Sequence, residues 1–371
     1  EDGLLSAVTM FNMSLTLHAL DFSELAVEIL NLSLCEINTS EWPLISSAIL
    51  VNIGKIHHIN GRDDEALKTF SRAVQIHEDR LMEREEGYEL ESHLQRCIAA
   101  TLSSMALVCF QKNNLDDALE LCRDIRDLLS SAVGENDIDV LVCMYNAGAV
   151  LYAKGEYEEA FDVCQMVVSL VKDNIGDGHV LIATSMHLIG VIQLELGYMD
   201  DAMISLSNSF DMKKSIYDET HIDTADIQYD LGYVMNNLGE IETALTFFRS
   251  SLKIMKELLG EEHEEIVKIA CSIGAIRHIR GELDLALKMY EEALRITQQL
   301  YGYNLEVGGI LSTIGTIHLE KGDIMNANEN FYNVSKICSQ IKQQRSALSE
   351  KPLDVFNLCF GLESFPAAPT A

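Results

Sequence analysis

Three histidines recur at equivalent positions of the chain, and histidine is the side chain best suited to acid-base chemistry or metal binding near neutral pH. His179, His221 and His263 end the stretches "GDGH", "DETH" and "GEEH", which follow one another at equal steps. The ligands of one metal ion must meet within a few ångströms, and side chains one structural repeat apart do not. We therefore expect these histidines to cap or pack a recurring turn.

Other signatures of catalysis are absent from the sequence. It has no Gly-x-x-x-x-Gly-Lys-Ser/Thr loop, no Gly-x-Gly-x-x-Gly loop after a strand, and no His-Glu-x-x-His motif. The adjacent His57 and His58 would point about 100° apart on a helix, so they would not share a metal ion. No nucleophile and base occur with supporting neighbours. The sequence predicts a protein without enzymatic activity, cofactor or metal.

The charge of the chain limits the class of partner. With 58 acidic and 27 basic residues, the formal net charge is -31. Binding nucleic acid depends on Lys and Arg that neutralise phosphates, so nucleic acid and anionic membrane surfaces are not expected as partners. No run of about 18 apolar residues occurs, so a membrane-spanning segment is not expected either. Two interpretations stay open: a solvated acidic surface, or an acidic face that docks a basic partner.

The cysteines indicate a compartment. There are nine, none in a Cys-x-x-Cys pair, and most fall on apolar helical positions. This pattern is typical of reduced core residues in a non-oxidising compartment. We expect an intracellular, and specifically cytoplasmic, location. The chain begins at Glu1 without a leader sequence, and an organelle lumen is the alternative if a targeting peptide has been removed.

A short motif recurs along almost the whole chain: an alanine that follows a glycine by five positions in most copies, as in "GEYEEA" from Gly155 to Ala160. A weaker copy carries Ala26. The interval between successive copies is nearly constant, and a period of about 42 residues predicts a solenoid of stacked supersecondary units. The alanines are Ala66, Ala118, Ala160, Ala202, Ala244, Ala286 and Ala327, with one longer step between the first two.

Two further positions complete the repeat. A small residue precedes the alanine by twelve positions, and a residue that is aromatic or apolar follows it by four, as Gly232 and Phe248 do around Ala244. Apolar residues on both sides of the turn have helical spacing, so each unit is predicted to be two helices. Glycine can end the first helix in the left-handed conformation, and the acidic residues after it suit the start of the second. We expect the alanine to face the small residue and the large residue to fill the adjoining space.

The repeats divide the chain into eight units and a C-terminal segment. The units lie near 7–40, 47–80, 99–132, 141–174, 183–216, 225–258, 267–300 and 308–341. The longer step contains an acidic insertion over 77–93, for which an extended helix or a protruding loop is expected, more as a passive insertion than as a binding element. Within 346–371, "LDVFNLCF" is expected to cap the last unit ahead of a flexible tail.

The pattern of small residue, glycine, alanine and large residue, at spacings of 7, 5 and 4, resembles the tetratricopeptide repeat (TPR). The 42-residue period and the Gly-x-x-His loop between units are similar to those of the kinesin light chain class of that family, although "GEND" at 134–137 and "GYNL" at 302–305 lack the histidine. The resemblance implies an all-α fold. It would be an α-solenoid, a right-handed superhelix of about eight helix-turn-helix units.

The resemblance also implies a binding surface, because TPR proteins work through a concave groove lined by the first helix of each unit. Asn amides can pair with a peptide backbone, and Tyr gives rigid apolar contact area. The groove residues implied here are Asn52, Lys55, His58, Tyr145, Asn146, Tyr152, His187, Tyr229, Asp230, Tyr233, Asn236, Lys268 and His278. Three of the tyrosines could equally pack between neighbouring repeats, namely Tyr145, Tyr229 and Tyr233.

These features predict a non-catalytic scaffold or adaptor that binds a protein or peptide segment in the groove. Lys55 and Lys268 are the basic residues expected there, beside Asp230, so a neutral or basic segment is expected rather than an acidic one. Two alternatives stay open. The protein would be a permanent structural subunit of a larger assembly, or a regulator whose superhelix changes pitch when a ligand binds.

Overall fold

The chain folds into helices joined by short turns. A computed structural model describes residues 2–20, 22–37, 41–82 and 88–347, which contain sixteen helices and no strand. The helices are α1 (Asp2–Ala19), α2 (Ser23–Glu36), α3 (Pro43–Ile59), α4 (Asp63–Met82), α5 (Tyr88–Gln111), α6 (Leu115–Val133), α7 (Ile138–Lys154), α8 (Tyr157–Asn174), α9 (Val180–Glu195), α10 (Met199–Ile216), α11 (Ile222–Asn237), α12 (Ile241–Leu259), α13 (Glu264–Ile279), α14 (Leu283–Tyr301), α15 (Leu305–Glu320) and α16 (Ile324–Ala347).

The helices fall into two compact units. The first unit, Glu1–Tyr198, contains α1 to α9, and the second, Met199–Ala371, contains α10 to α16. In the first unit α1 packs on α2, α3 on α4, α5 on α6 and α7 on α8. In the second unit α11 packs on α12, α13 on α14 and α15 on α16. We call the odd-numbered helices A helices and the even-numbered ones B helices. The predicted all-α solenoid of paired helices is confirmed.

The turn between the two helices of a pair needs a residue that tolerates a positive φ. Gly155, after α7, has φ +80°, in the left-handed region where glycine meets no steric penalty. The pair α5 and α6 has Asn113 at this position, with φ +61°, and Asn is among the few other residues that adopt it. Glu158 and Glu159 then occupy the first turn of α8, at the positive end of its dipole. The local sequence thus fixes where each pair turns.

The recurring spacing within a pair lets a large side chain of the B helix lie directly on the A-helix backbone. A Cβ atom at Gly54 would lie 2.5 Å from the Phe70 ring, and one at Gly232 would lie 2.9 Å from the Phe248 ring. Ala244, like the other repeat alanines, is fully buried. Around Gly148 the alanine also lies opposite the small residue, since the Ala160 carbonyl oxygen is 3.7 Å from the Cβ position. The large residue makes the closest approach, and it needs the space that a glycine leaves.

The predicted acidic insertion over 77–93 lengthens the helix that follows it. α4 continues to Met82 and α5 begins at Tyr88, while residues 83–87 lie outside the described part of the chain. α5 has 24 residues, whereas α7 has 17. The extra length is about two helical turns, and it lies at the N-terminal end of α5. Of the two forms expected, the extended helix accounts for the residues that the structure describes.

Among the described helices, α5 over Glu89–Gln111 is the one long and apolar enough to cross a membrane. Length and composition are weak indicators, because the core helix of a soluble protein passes the same test. Here α5 packs against both α4 and α6, and Arg96 pairs with Asp137 at 3.7 Å. These contacts are those of a core helix in the first unit.

The last described helix is the B helix of the last predicted unit. α16 has 24 residues, against 19 for α14, and it ends at Ala347. The cap and tail were predicted within 346–371, and the residues from 348 onward lie outside the described part of the chain. The cap therefore stays a prediction.

Candidate protein-binding surface

The three recurring histidines cap the N-termini of A helices. Nδ1 of His179 accepts a hydrogen bond from the Leu181 amide at 3.1 Å, and Nδ1 of His263 accepts one from the Glu265 amide at 3.2 Å. His221 does the same at the start of α11. Amides in the first turn have no partner within their own helix, and a side-chain acceptor satisfies one of them. The predicted capping role is confirmed.

Other residues take this role where the histidine is missing. Asp137 accepts a hydrogen bond from the Asp139 amide at 3.0 Å, and Asn304 accepts one from the Val307 amide at 3.0 Å. Asp and Asn are preferred N-cap residues. The histidines are therefore one solution to a structural requirement of the A helices, which accounts for "GEND" and "GYNL" in the loops before α7 and α15.

Two observations bear on catalysis among the described residues, namely the placement of metal-ligand side chains and the state of three buried thiols. They contain no group of three or more His, Cys, Asp and Glu side chains placed to hold a metal ion. A hydrogen bond with Cys122 and burial raise the pKa of the Cys143 thiol, and burial raises the pKa of Cys164 to about 12 and that of Cys271 to about 11. Only a thiolate is a strong nucleophile, so these thiols stay protonated and unreactive near neutral pH.

On α3, two of the three predicted groove residues lie on the face toward α5. Lys55 is exposed, and both Lys55 and Asn52 line a cleft of about 380 Å³ between α3, α4 and α5. The Asn52 amide donates to the Ala48 carbonyl at 2.8 Å. His58 is directed to the turn instead, where its Nδ1 lies 2.7 Å from the Asp63 carboxylate. The structure therefore brings two of the three residues to a cleft.

Between α5 and α7, two further clefts adjoin. Their volumes are about 340 and 200 Å³, and Ser103 and Asn146 line both. Leu107 and Phe110 line the larger, and Val142 lines the smaller. These three apolar side chains are 50%, 37% and 39% exposed. We call Ser103, Leu107, Phe110, Val142 and Asn146 the first-unit surface.

The other predicted residues of this region are less open. Tyr145, Tyr152 and His187 are partly buried, and the ring of Tyr152 lies 5.6 Å from that of Tyr157 in the neighbouring B helix. Of the four residues predicted on α7 and α9, Asn146 is the one that lines the clefts described.

The sequence reasoning missed Ser103, Leu107 and Phe110. Relative to the small residue Ala106, they stand three before, one after and four after. Asn146 and Tyr152 stand at comparable positions around Gly148, two before and four after. Positions relative to the small residue could therefore have predicted these three residues. They were not predicted because apolar residues on a helix are usually assigned to the core.

In the second unit, Tyr229 is a packing residue. Its hydroxyl lies 3.1 Å from the Ser272 hydroxyl on the next A helix, and its ring centre lies 5.3 Å from that of Phe248. The Lys268 ammonium stands 4.3 Å from the ring centroid, a cation–π geometry. Burial, above all, raises the pKa of Tyr229 to about 12. These contacts join α11, α12 and α13.

The neighbouring predicted residues also make contacts inside this unit. Tyr233 packs against the core cluster of α11 to α13, and Asn236 is partly buried. Nε2 of His278 lies 2.9 Å from the Glu320 carboxylate of α15. The structure thus brings Tyr229, Lys268 and Ser272 together, while His278 joins α13 to α15.

Acidic side chains of α11 act on a buried lysine of α10. Lys213 on α10 is 3% exposed, and its Nζ lies 3.8 Å from an Asp223 carboxylate oxygen. Burial lowers the pKa of Lys213, and the charges of Asp223, Asp226 and Asp230 oppose that effect. Asp230, predicted for the groove, is therefore part of the field that keeps an internal cation charged.

Comparison with known protein families identifies the repeat. Models described as tetratricopeptide repeat match residues 97–163, 142–215 and 223–299, and another matches residues 47–80. A search of curated proteins found no match. The matching models are those of the general repeat, so the 42-residue kinesin light chain class stays a resemblance.

Solved structures share the fold at low sequence identity. The apo form of the quorum sensor NprR from B. thuringiensis is 14% identical, with a TM-score of 0.62, over 90% of this chain and 87% of that one. The Rap conjugation gene regulator of plasmid pLS20, in complex with the Phr* peptide, is 14% identical, with a TM-score of 0.54, over 85% and 80%. BtubC (BKLC) from P. vanneervenii is 16% identical, with a TM-score of 0.52, over 65% and 92%. The family models cover more than half of the chain, which therefore belongs to the tetratricopeptide repeat family.

Proposed function

We propose that the protein is a non-catalytic interaction scaffold and that it binds a segment of a partner protein along the first-unit surface. The observation that carries the proposal is the group of half-exposed Leu107, Phe110 and Val142 around two adjoining clefts. Apolar area left in contact with water is a source of binding free energy, about 25 cal/mol for each Å² that a partner covers. A gathered apolar patch rimmed by polar groups is typical of an interaction site.

Polar groups at the same place suit an extended chain. Asn146 lines both clefts and carries an amide that can donate to and accept from a peptide backbone. Ser103 donates its hydroxyl proton to the Ala99 carbonyl of its own helix, so its oxygen is left as an acceptor. A few placed polar groups within an apolar lining fix the orientation of a ligand. A peptide with one or two large apolar side chains fits this description.

Two of the structural neighbours support a peptide as the ligand class. One is described in complex with the Phr* peptide, and another is described as a quorum sensor. At 14% identity these neighbours share the fold with this chain, so they support the class of ligand and not its sequence. The same observation keeps the regulator alternative open, in which peptide binding would change the shape of the array.

The test is a selection of random peptides displayed on phage against the intact chain, followed by fluorescence anisotropy of the selected peptides. Leu107→Asp places a charge in the cleft and should weaken binding at least tenfold. The matched control is Leu285→Asp on α14, since Leu285 is 49% exposed and Leu107 is 50% exposed. The control should change the affinity less than twofold.

Two outcomes would contradict the proposal. In the first, the selected peptides bind both variants equally well, and the ligand then lies elsewhere. In the second, the selection yields no peptide, while the purified chain is monomeric and folded. A chain that is folded only together with a stable partner would instead favour the structural-subunit alternative.

A further inference from the structure

Two histidines at the ends of the acidic insertion and a cysteine just after it line one cleft. This cleft, of about 380 Å³ between α3, α4 and α5, is lined by His77 of α4 and by His93 and Cys97 of α5. Sγ of Cys97 lies 3.7 Å from Nε2 of His93. His93 belongs to the two turns by which α5 is longer than α7. With Lys55 from α3, these side chains form what we call the histidine cleft.

His77 is the feature of this cleft that needs an explanation. It is only 3% exposed, and its Nδ1 atom has no hydrogen-bond partner within the described part of the chain. Buried polar atoms almost always have a partner, because an unsatisfied one costs about 1–3 kcal/mol. His77 also lines the cleft, so a ligand that enters the cleft lies beside this imidazole.

The remaining polar groups define the charge of that ligand. The hydroxyls of Ser47, Thr101 and Ser104 already donate to backbone carbonyls of their own helices. The donors that remain are the two imidazoles, the second N–H of the Asn52 amide and the Lys55 ammonium. None of the described residues that line the cleft is Asp or Glu, in a chain that has 58 of them. Donors and positive charge without a carboxylate are complementary to an anion.

We propose that the histidine cleft binds a carboxylate side chain, an aspartate or glutamate of the partner segment, through His77, His93 and Lys55. Ala100 lines both this cleft and the smaller cleft between α5 and α7, so the histidine cleft continues the first-unit surface. The inference rests on the proposed function and adds the chemistry of one residue of the partner. It places one acidic residue in a segment that the sequence alone predicts to be neutral or basic.

Binding of a carboxylate takes up protons. Burial, and then the charge of His93, lower the pKa of His77, so its imidazole is neutral in the empty cleft near pH 7. A bound carboxylate favours the imidazolium form. The titratable groups that line the cleft with it are Lys55 on α3 and His93 and Cys97 on α5, and burial raises the pKa of the Cys97 thiol. The affinity should therefore rise as the pH falls from 8 to 6.

The probe for this inference is N-acetyl-glutamate amide, titrated into the intact chain with labelled histidine side chains and followed by NMR. Resonances of His77 and His93 should shift in a saturable way, with a dissociation constant at least threefold lower at pH 6.5 than at pH 7.5. N-acetyl-glutamine amide, the neutral isostere, should not shift them. Equal shifts with both probes, or none with glutamate, would overturn the inference. Tighter binding of inorganic phosphate than of glutamate would overturn the choice of a carboxylate.

Matched variants distinguish binding in the cleft from a general effect of charge on glutamate binding. Lys55→Gln should weaken glutamate binding at least threefold, whereas Lys288→Gln on α14, an exposed lysine with the same change of charge, should leave it unchanged. His77→Gln should remove most of the pH dependence. If circular dichroism shows that His77→Gln is unfolded, the comparison of Lys55→Gln with Lys288→Gln tests the inference. Loss of peptide affinity in Leu107→Asp without any glutamate binding would reject this inference and leave the proposed function standing.

Discussion

The A helices of the two units have the same register and use it differently. In the first unit, Leu107, Phe110 and Asn146 stand at clefts and remain partly open to solvent. In the second unit, Tyr229 occupies the register of Tyr145 and is held by Ser272, Phe248 and Lys268. The repeat therefore provides equivalent positions, and the side chains placed there decide whether a position binds a partner or joins two repeats.

The two units also differ in what their charged side chains contact. In the second unit the acidic Asp223, Asp226 and Asp230 act on the buried Lys213, and Glu320 acts on His278. In the first unit Lys55, His77 and His93 face a cleft whose described lining holds no carboxylate. Charges used within the fold are already compensated, so they attract a ligand less than charges at an open cleft. A chain of net charge -31 can thus still offer a local site for an anion.

The largest expected difference between the two regions is in stability. Tyr229→Ala should lower the free energy of unfolding by about 3 kcal/mol, because it removes a packed ring and a hydrogen bond. Leu107→Ala should lower it by less than about 1 kcal/mol, since half of that side chain is already exposed. Urea denaturation followed by circular dichroism measures both. Equal losses for the two variants would mean that Leu107 belongs to the core and would remove the contrast.

The sequence could predict the scaffold because each rule acts over a short stretch of chain. Gly155 marks a turn by its need for a positive φ, the glycine and Phe248 positions mark a close helix crossing, and the recurring histidines mark helix starts. All of these depend on local backbone conformation and on a spacing that repeats. The pattern did not show that the ring of the large residue lies directly on the glycine.

The surface could be predicted only in part, because its character depends on residues far apart in the chain. Tyr229 meets Ser272 across 43 positions, and His77 meets Lys55 and His93 only after α3, α4 and α5 have packed. No periodicity distinguishes an open tyrosine from one that joins two repeats. Predicted groove residues such as Tyr233 and Asn236 stay predictions, with the first-unit surface as the alternative that the geometry favours.

A pH titration of stability sharpens the role given to Tyr229. The pKa of this group is raised to about 12 in the fold, above its usual value near 10. A raised pKa contributes stability that is present below pH 10 and is lost as the pH rises through the folded value. Between pH 9 and 11 the native chain should lose about 1 kcal/mol more than Tyr229→Phe, which has no ionisable hydroxyl. Parallel curves for the two proteins would place Tyr229 in contact with water.

The smallest expected effects are the same in both units, because helix capping belongs to the scaffold. His179→Ala in the first unit and His263→Ala in the second should each lower the free energy of unfolding by between about 0.5 and 1 kcal/mol. The matched His263→Asn should recover most of the loss, as Asn304 caps α15 in the same way. Thermal unfolding of the three variants tests this. A loss in only one unit would show that the histidines have a second role there.

Hydrogen exchange with a selected peptide tests the central claim most directly. Amide protection, measured by mass spectrometry on the intact chain with and without peptide, should increase in α3, α5 and α7 and stay unchanged in α11 and α13. Leu107→Asp should abolish the increase. Protection that rises instead around Tyr229 and Lys268, and that survives Leu107→Asp, would contradict the account and place the binding surface in the second unit.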